Sequence, residues 1–213
     1  MSEIAGEIEW TGNLEQYFKS IGERCHCLAW LHKQSEARYS RLRNYTDLPV
    51  IILGVLNAAT SVGSGTLFDN PKWASVGVGI VALIGSIISA VSSYFKWAAR
   101  AESHRMACIQ YGKLNRWVSV QMRLPREERL PAIECLKYCK QEFDRLQEIS
   151  PLVPPEVVSE FQRKFGIDRY ANISKPTETN GLEAIIIYEQ EVPQNRGPPE
   201  LALGERLQTL GAD

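Results

Sequence analysis

Five cysteines and three histidines are the side chains of this 213-residue chain best suited to chemistry, and their spacing limits what that chemistry can be. His104 and Cys108 stand one helical turn apart, as do Cys135 and Cys139, so two helices could together offer four ligands of a kind that tetrahedral zinc accepts. That spacing is not one of the short loop spacings of structural zinc sites, and residues four apart on a helix also fill packing seams. Neither a metal nor any other cofactor is therefore expected. Cys25-His26-Cys27 is a weaker cluster, because neighbouring residues on a helix point in different directions. No Ser/His/Asp order, paired carboxylates or phosphate-cradling glycine loop emerges, so the residues do not read as an enzyme. The role left to His32 and His104 is titration: their charge changes near neutrality, and two protonated imidazoles facing each other would loosen the contact between them.

The elements that must position these residues are set by two charge-free runs, one between Asp47 and Asp69 and one between Lys72 and Lys96. As helices of about 21 and 23 residues they reach roughly 30 and 34 Å, enough to cross the hydrocarbon core of a bilayer. Only Asp69-Asn70-Pro71-Lys72 separates them, which predicts an antiparallel transmembrane hairpin with spans over about 48–68 and 73–95. Glycines inside both runs and aromatic residues at the ends of the second (Trp73, then Tyr94, Phe95 and Trp97) favour spans over buried core helices. Lys33, Arg38, Arg41 and Arg43 precede the first run, while Lys96, Arg100, Arg105, Lys113 and Arg116 follow the second. The connecting loop has only Lys72, so an integral membrane protein with both termini cytoplasmic is expected. The acidic start, Met1 to Glu9, lacks the basic region of a cleavable signal, which leaves the first span as the insertion signal. All five cysteines then face a reducing compartment, where their odd count argues against a disulfide framework. The net charge of −1 carries no basic tract, and no nucleic-acid partner is expected.

Outside the spans the pattern changes to that of a coiled coil. After Asn13 and Gln16, which read as a capping box, Leu14, Phe18, Ile21, Cys25, Leu28, His32, Ser35, Tyr39 and Leu42 recur at alternating spacings of four and three. Pro49 should kink or restart that helix. Trp97, Ala101, His104, Cys108, Tyr111, Asn115, Val118 and Met122 repeat the spacing beyond the second span. Because the turn centres on Asn70–Pro71, residue i should lie level with about residue 141 − i, so that the two seams form a cytoplasmic stalk. Its polar layer would be His32 and Ser35 against His104 and Cys108. A third helix is expected from about Pro131 to Ile149 with the stripe Ala132, Leu136, Cys139, Phe143 and Leu146, and a fourth from Glu156 to Phe165, closed by Gly166. The domain plan is thus a flexible start (1–12), the hairpin and stalk (13–125), C-terminal helices (126–166) and a mostly flexible tail (167–213). Within that tail only Leu182–Tyr188 is apolar enough for a strand or docking segment.

Gly22-Glu23-Arg24-Cys25, Trp30-Leu31-His32-Lys33-Gln34-Ser35, Tyr39-Ser40 and Leu48-Pro49-Val50-Ile51-Ile52-Leu53-Gly54 together resemble the SLATT superfamily, over roughly residues 13 to 165. The version is similar to copies found in large DNA viruses. The resemblance implies a two-span membrane effector that forms oligomeric pores, often governed by a nucleotide or ligand sensor. The tail shows no phosphate-binding glycine loop that would supply such a sensor.

A single hairpin cannot enclose a pore, so conduction requires a homo-oligomer. The first span offers Gly54, Asn57, Ser61 and Ser64 as a small or polar stripe; the second offers Ala82, Gly85, Ser89 and Ser92. Either stripe could line water or pack helix against helix. Asn57 lies near the midplane, where an amide needs a partner or water. Asp69 would supply an acidic outer ring, with Lys96 and Arg100 a basic inner one, and these opposed rings leave the permeant ion open. The expectation is an all-α membrane protein, a transmembrane hairpin with long cytoplasmic helical extensions, forming a pore or ion channel in the lipid bilayer. The alternative is a membrane-anchored scaffold or adaptor whose cytoplasmic helices or tail recruit a partner.

Overall fold

The computed structural model describes residues 8–67, 71–166 and 170–181. Every regular element among them is helical: α1 (Gly12–Leu67), α2 (Pro71–Phe95), α3 (Trp97–Arg123), a 3-10 turn (Arg126–Glu128), α4 (Ala132–Ile149), α5 (Pro155–Phe165) and the single turn α6 (Thr177–Asn180). The fold is all-α.

α1 is capped by Thr11 rather than by Asn13, the Thr11 hydroxyl accepting the Leu14 N–H at 3.3 Å. The helix then continues for 56 residues through Pro49, which does not restart it. Proline removes its own N–H and crowds the carbonyl four residues back, that of Tyr45. Tyr45 is exposed, so solvent or a polar head group can take up what the helix gives away there.

Below the hairpin, α1 and α3 pair along the expected seams. Phe18, Ile21, Cys25, Leu28, His32 and Ser35 are buried on one side; Ala101, His104, Tyr111 and Val118 are buried on the other, where Ala107 and Leu114 take the buried places expected of Cys108 and Asn115, which are half-buried. Gly22 meets Val118, His32 meets His104 and Tyr111, and Thr46 meets Ser92, each within about a turn of the expected level. A side chain on Gly22 would begin 3.3 Å from Val118 Cγ1, so glycine is what lets the two helices approach there. α4 closes the bundle with Ala132, Cys135, Cys139 and Leu146, and α5 adds Val157 and Phe161. Each fully buried Leu, Val or Phe contributes about 1.5–3 kcal/mol.

The loop between α3 and α4 is tied to the start of α1 by charge. Arg126 grips the Glu15 carboxylate with two nitrogens at 2.9 Å, and Arg129 adds a bond at 2.6 Å. Arg129 also donates to the Leu124 carbonyl and lies over the Trp10 ring. These guanidiniums hold the Glu15 carboxyl down at about 2.

Residues 170–181, read from composition as the start of a mobile tail, are docked. Ser174 N–H donates to Glu23, Gln162 donates to the Thr179 carbonyl, and Pro176 and Thr179 are buried. Gly166 closes α5 as expected, though with an ordinary right-handed φ of −77°; glycine is required because a Cβ would collide with the Gln162 carbonyl. Asp69 and Leu182–Tyr188 lie outside the described residues.

Above the bundle the packing logic inverts. α1 and α2 each contain a stretch long and apolar enough to cross a membrane, and none of either stretch is buried. Ile51, Ile52, Val55, Leu56, Ile80, Leu83, Ile84 and Ile87 all stand exposed. A core helix of a soluble protein would be mostly buried; in these two stretches no described residue is more than half-buried.

Candidate functional site

The stalk's polar layer is a column of rings. His32 Nδ1 lies 2.9 Å from His104 Nδ1, so one imidazole donates and the other accepts. Tyr111 stacks on His32 with the planes 8° apart, and Tyr39 stacks on His104 with the planes 15° apart. The Arg100 guanidinium caps the upper end, 5.8 Å from the Tyr39 ring centre, and Ser150 donates to the Tyr111 hydroxyl at the lower end. Both histidines are only 1% exposed. Burial pushes each imidazole down from 6.5 to about 4; the other imidazole adds to this at His32, and Arg100 adds to it at His104. Both are neutral near pH 7. Ser35 is buried beside them but spends its hydroxyl on the Leu31 carbonyl of its own helix, and Cys108 is half-buried at the edge of the layer. The sequence pattern places all these positions on the seam; that two of the seam's tyrosines sandwich the histidine pair is not written in spacing alone.

No three metal-ligating side chains converge among the described residues. His104 is engaged with His32, and the Cys25, Cys27 and Cys139 thiols are held protonated by burial, at about 11 for Cys27.

Where the hairpin meets the stalk, a polar clasp joins α1 to α2. Ser92 donates to Asp47 at 3.1 Å, Thr46 reaches Ser92 at 3.3 Å, and Arg43 donates to the other Asp47 oxygen at 3.2 Å. Ser92 is therefore an interhelical residue within one chain. Just below it Lys96 separates α2 from α3 in the left-handed conformation, φ 51° and ψ 39°. Its N–H still bonds Ser92 and its carbonyl still accepts Arg100 N–H, so the chain changes course without dropping its backbone bonds. A lysine in this conformation costs about 1–2 kcal/mol. Lys96 and Arg100 both stand exposed near the inner end of the hairpin.

The two small-residue stripes divide between faces. In α1, Leu53, Asn57 and Thr60 are half-buried; in α2, Val78, Val81, Gly85, Ile88 and Ser92 are. These form the hairpin's inner face; the Thr46–Ser92 and Asp47–Ser92 contacts set a register that brings Asn57 about level with Val81, a turn away from Gly85. Gly54, Ser61, Ala82 and Ser89 are exposed on the outer face. Ser64 lies on α1, beyond the last position whose side chain is described. No hydrogen bond within the chain engages the Asn57 amide among the described residues, and a side chain on Gly85 would meet only open space. The structure thus leaves an unengaged amide on the inner face of an apolar hairpin, about a turn from the open space beside Gly85. Comparison with protein-family models, with curated proteins and with solved structures finds no match.

Proposed function

We propose that this protein is a two-span membrane protein with both termini cytoplasmic, whose copies assemble into an ion-conducting or permeabilising pore. The pore is the activity implied by the resemblance to the SLATT superfamily. One observation carries the reading on physical grounds: the Asn57 amide, half-buried near mid-span, has no hydrogen-bond partner among the described residues of its own chain. An amide left unsatisfied in hydrocarbon costs several kcal/mol, roughly, so it requires water or a second copy. The bare apolar faces supply the membrane, and the basic residues that flank the hairpin on the stalk side supply its orientation.

The test is ion flux through the purified protein in sealed liposomes, with Asn57→Leu beside it. Flux that the substitution changes several-fold or more is the expected result. A correctly inserted oligomer that stays silent across pH and nucleotide trials would instead favour a membrane-anchored scaffold, for which any apolar hairpin would serve.

A further inference from the structure

Far from the hairpin, on the face of α1 turned toward α5, the docked segment borders a half-open pocket of about 130 Å³. Its walls are Trp30, Phe161, Phe165, Tyr170 and Ile173, with Lys175 at the edge. Trp30 meets Phe161 and Phe165 edge to face at 5.4 and 5.2 Å, and Phe165 meets Tyr170 in the same way at 5.3 Å. The rings brace one another, so the walls are preformed. The pocket's volume is close to the roughly 150 Å³ of an enclosed apolar cavity that takes up benzene, so it has room for one ring, with an open side for a polar substituent.

The charge around it selects among one-ring ligands. Lys164 holds its ammonium over both Trp30 and Phe165, at 5.6 and 5.7 Å from the ring centres. Lys175 brings a second cation to the edge. The nearby carboxylate, Glu23, is engaged by Lys19 and by the Ser174 N–H. The excess is therefore positive. A cationic guest would find the Trp30 face already taken by Lys164 and the Lys175 ammonium in the lining, whereas an anion would gain from Lys175. His26 and Cys27 complete the lining; Cys27 as a residue is only 6% exposed and its thiol stays protonated, so the pocket is built to hold a guest without bonding to it.

We infer that this pocket binds a small soluble acid made of one aromatic ring and a carboxylate, the ring among Trp30, Phe161 and Phe165 and the carboxylate toward Lys175. The site stands on the cytoplasmic bundle alone and does not depend on whether the hairpin conducts.

Full-length protein in lipid nanodiscs, labelled with 5-fluorotryptophan, gives a local readout. Trp30→Phe assigns one of the five tryptophan resonances. Phenylacetate, benzyl alcohol and benzylamine are then titrated separately. The expected result is a saturable shift of the Trp30 resonance with phenylacetate at a Kd of about 0.1–1 mM, as suits a ligand of this size. Benzyl alcohol should bind about threefold more weakly and benzylamine more weakly still, with the preference for the acid lost in Lys175→Gln. Ile173→Trp, a change at a partly exposed wall, should abolish the shift by filling the cavity. Absence of a saturable shift up to about 20 mM phenylacetate, or equal or tighter binding of the alcohol or the amine, overturns the assignment.

Discussion

His32 and His104 show how one buried pair can make an entire stalk sensitive to acid. Each imidazole has a folded-state pKa of about 4 against an ordinary 6.5, because burial penalises the charged form. The unfolded chain therefore binds more protons than the folded one as pH falls below 6.5. Their contribution to stability is full above that value and is lost as pH falls through about 4, at up to about 1.4 kcal/mol per pH unit for each imidazole. Thermal unfolding followed between pH 7 and 4 should steepen in this window, and His32→Gln should flatten it. An unchanged slope in that variant would remove the pair from the account. Spacing put both residues on facing seams and suggested the titration; the direction and size of the shift needed the closure of Tyr39 and Tyr111 over them, which depends on side-chain packing.

At the scale of elements, the parts legible in advance were those governed by periodicity. The four-three seams, α4 and α5 follow from apolar spacing, and the level at which the seams meet follows from the place of the turn at Asn70–Pro71. The departures are local conformations and long-range charge pairs that no periodicity encodes. Thr11 displaces Asn13 as the cap; Glu15 reaches Arg126 and Arg129 more than a hundred residues away; Lys96 adopts a left-handed backbone inside what reads as continuous helix. Lys96 allows a clean measurement. Lys96→Gly and Lys96→Ala remove the same charge, but only glycine relieves the backbone, so Gly should be the more stable of the two by about 1 kcal/mol in denaturant unfolding. A continuous α2–α3 helix would reverse the order, because glycine is the poorer helix former. For Glu15→Gln, partly exposed but held by two arginines, a loss of about 1 kcal/mol at pH 7 is expected. Since the folded carboxyl titrates at about 2 against an ordinary 4.5, the difference from wild type should be full above pH 4.5 and shrink as pH falls toward 2.

For the molecule as a whole, the division of the span faces says where a second copy would bind. The inner face, with Asn57, Gly85 and Ser92, is turned toward the hairpin's own partner helix, and Ser92 is already committed to the Asp47 clasp. In the proposed assembly, contact between copies would fall to the outer face, where Gly54 and Ser61 on α1 and Ala82 and Ser89 on α2 offer low relief at one-heptad spacing. Small residues let helices approach closely in lipid, where apolar burial supplies no driving force between them. All five native cysteines lie outside the spans, and Cys108 is the most accessible of them, so Cys108→Ser is a workable background. In it, Ser89→Cys should give a crosslinked dimer on mild oxidation in membranes, whereas Val78→Cys, on the inner face, should not. Gly54→Leu should weaken assembly while leaving the acid response of the stalk intact, because the His32–His104 pair lies in a separate packed region. If Val78→Cys crosslinks and Ser89→Cys does not, the hairpin opens on assembly. Asn57 would then find its partner on another copy through the inner face, and the gap beside Gly85 would be the place a neighbouring helix enters.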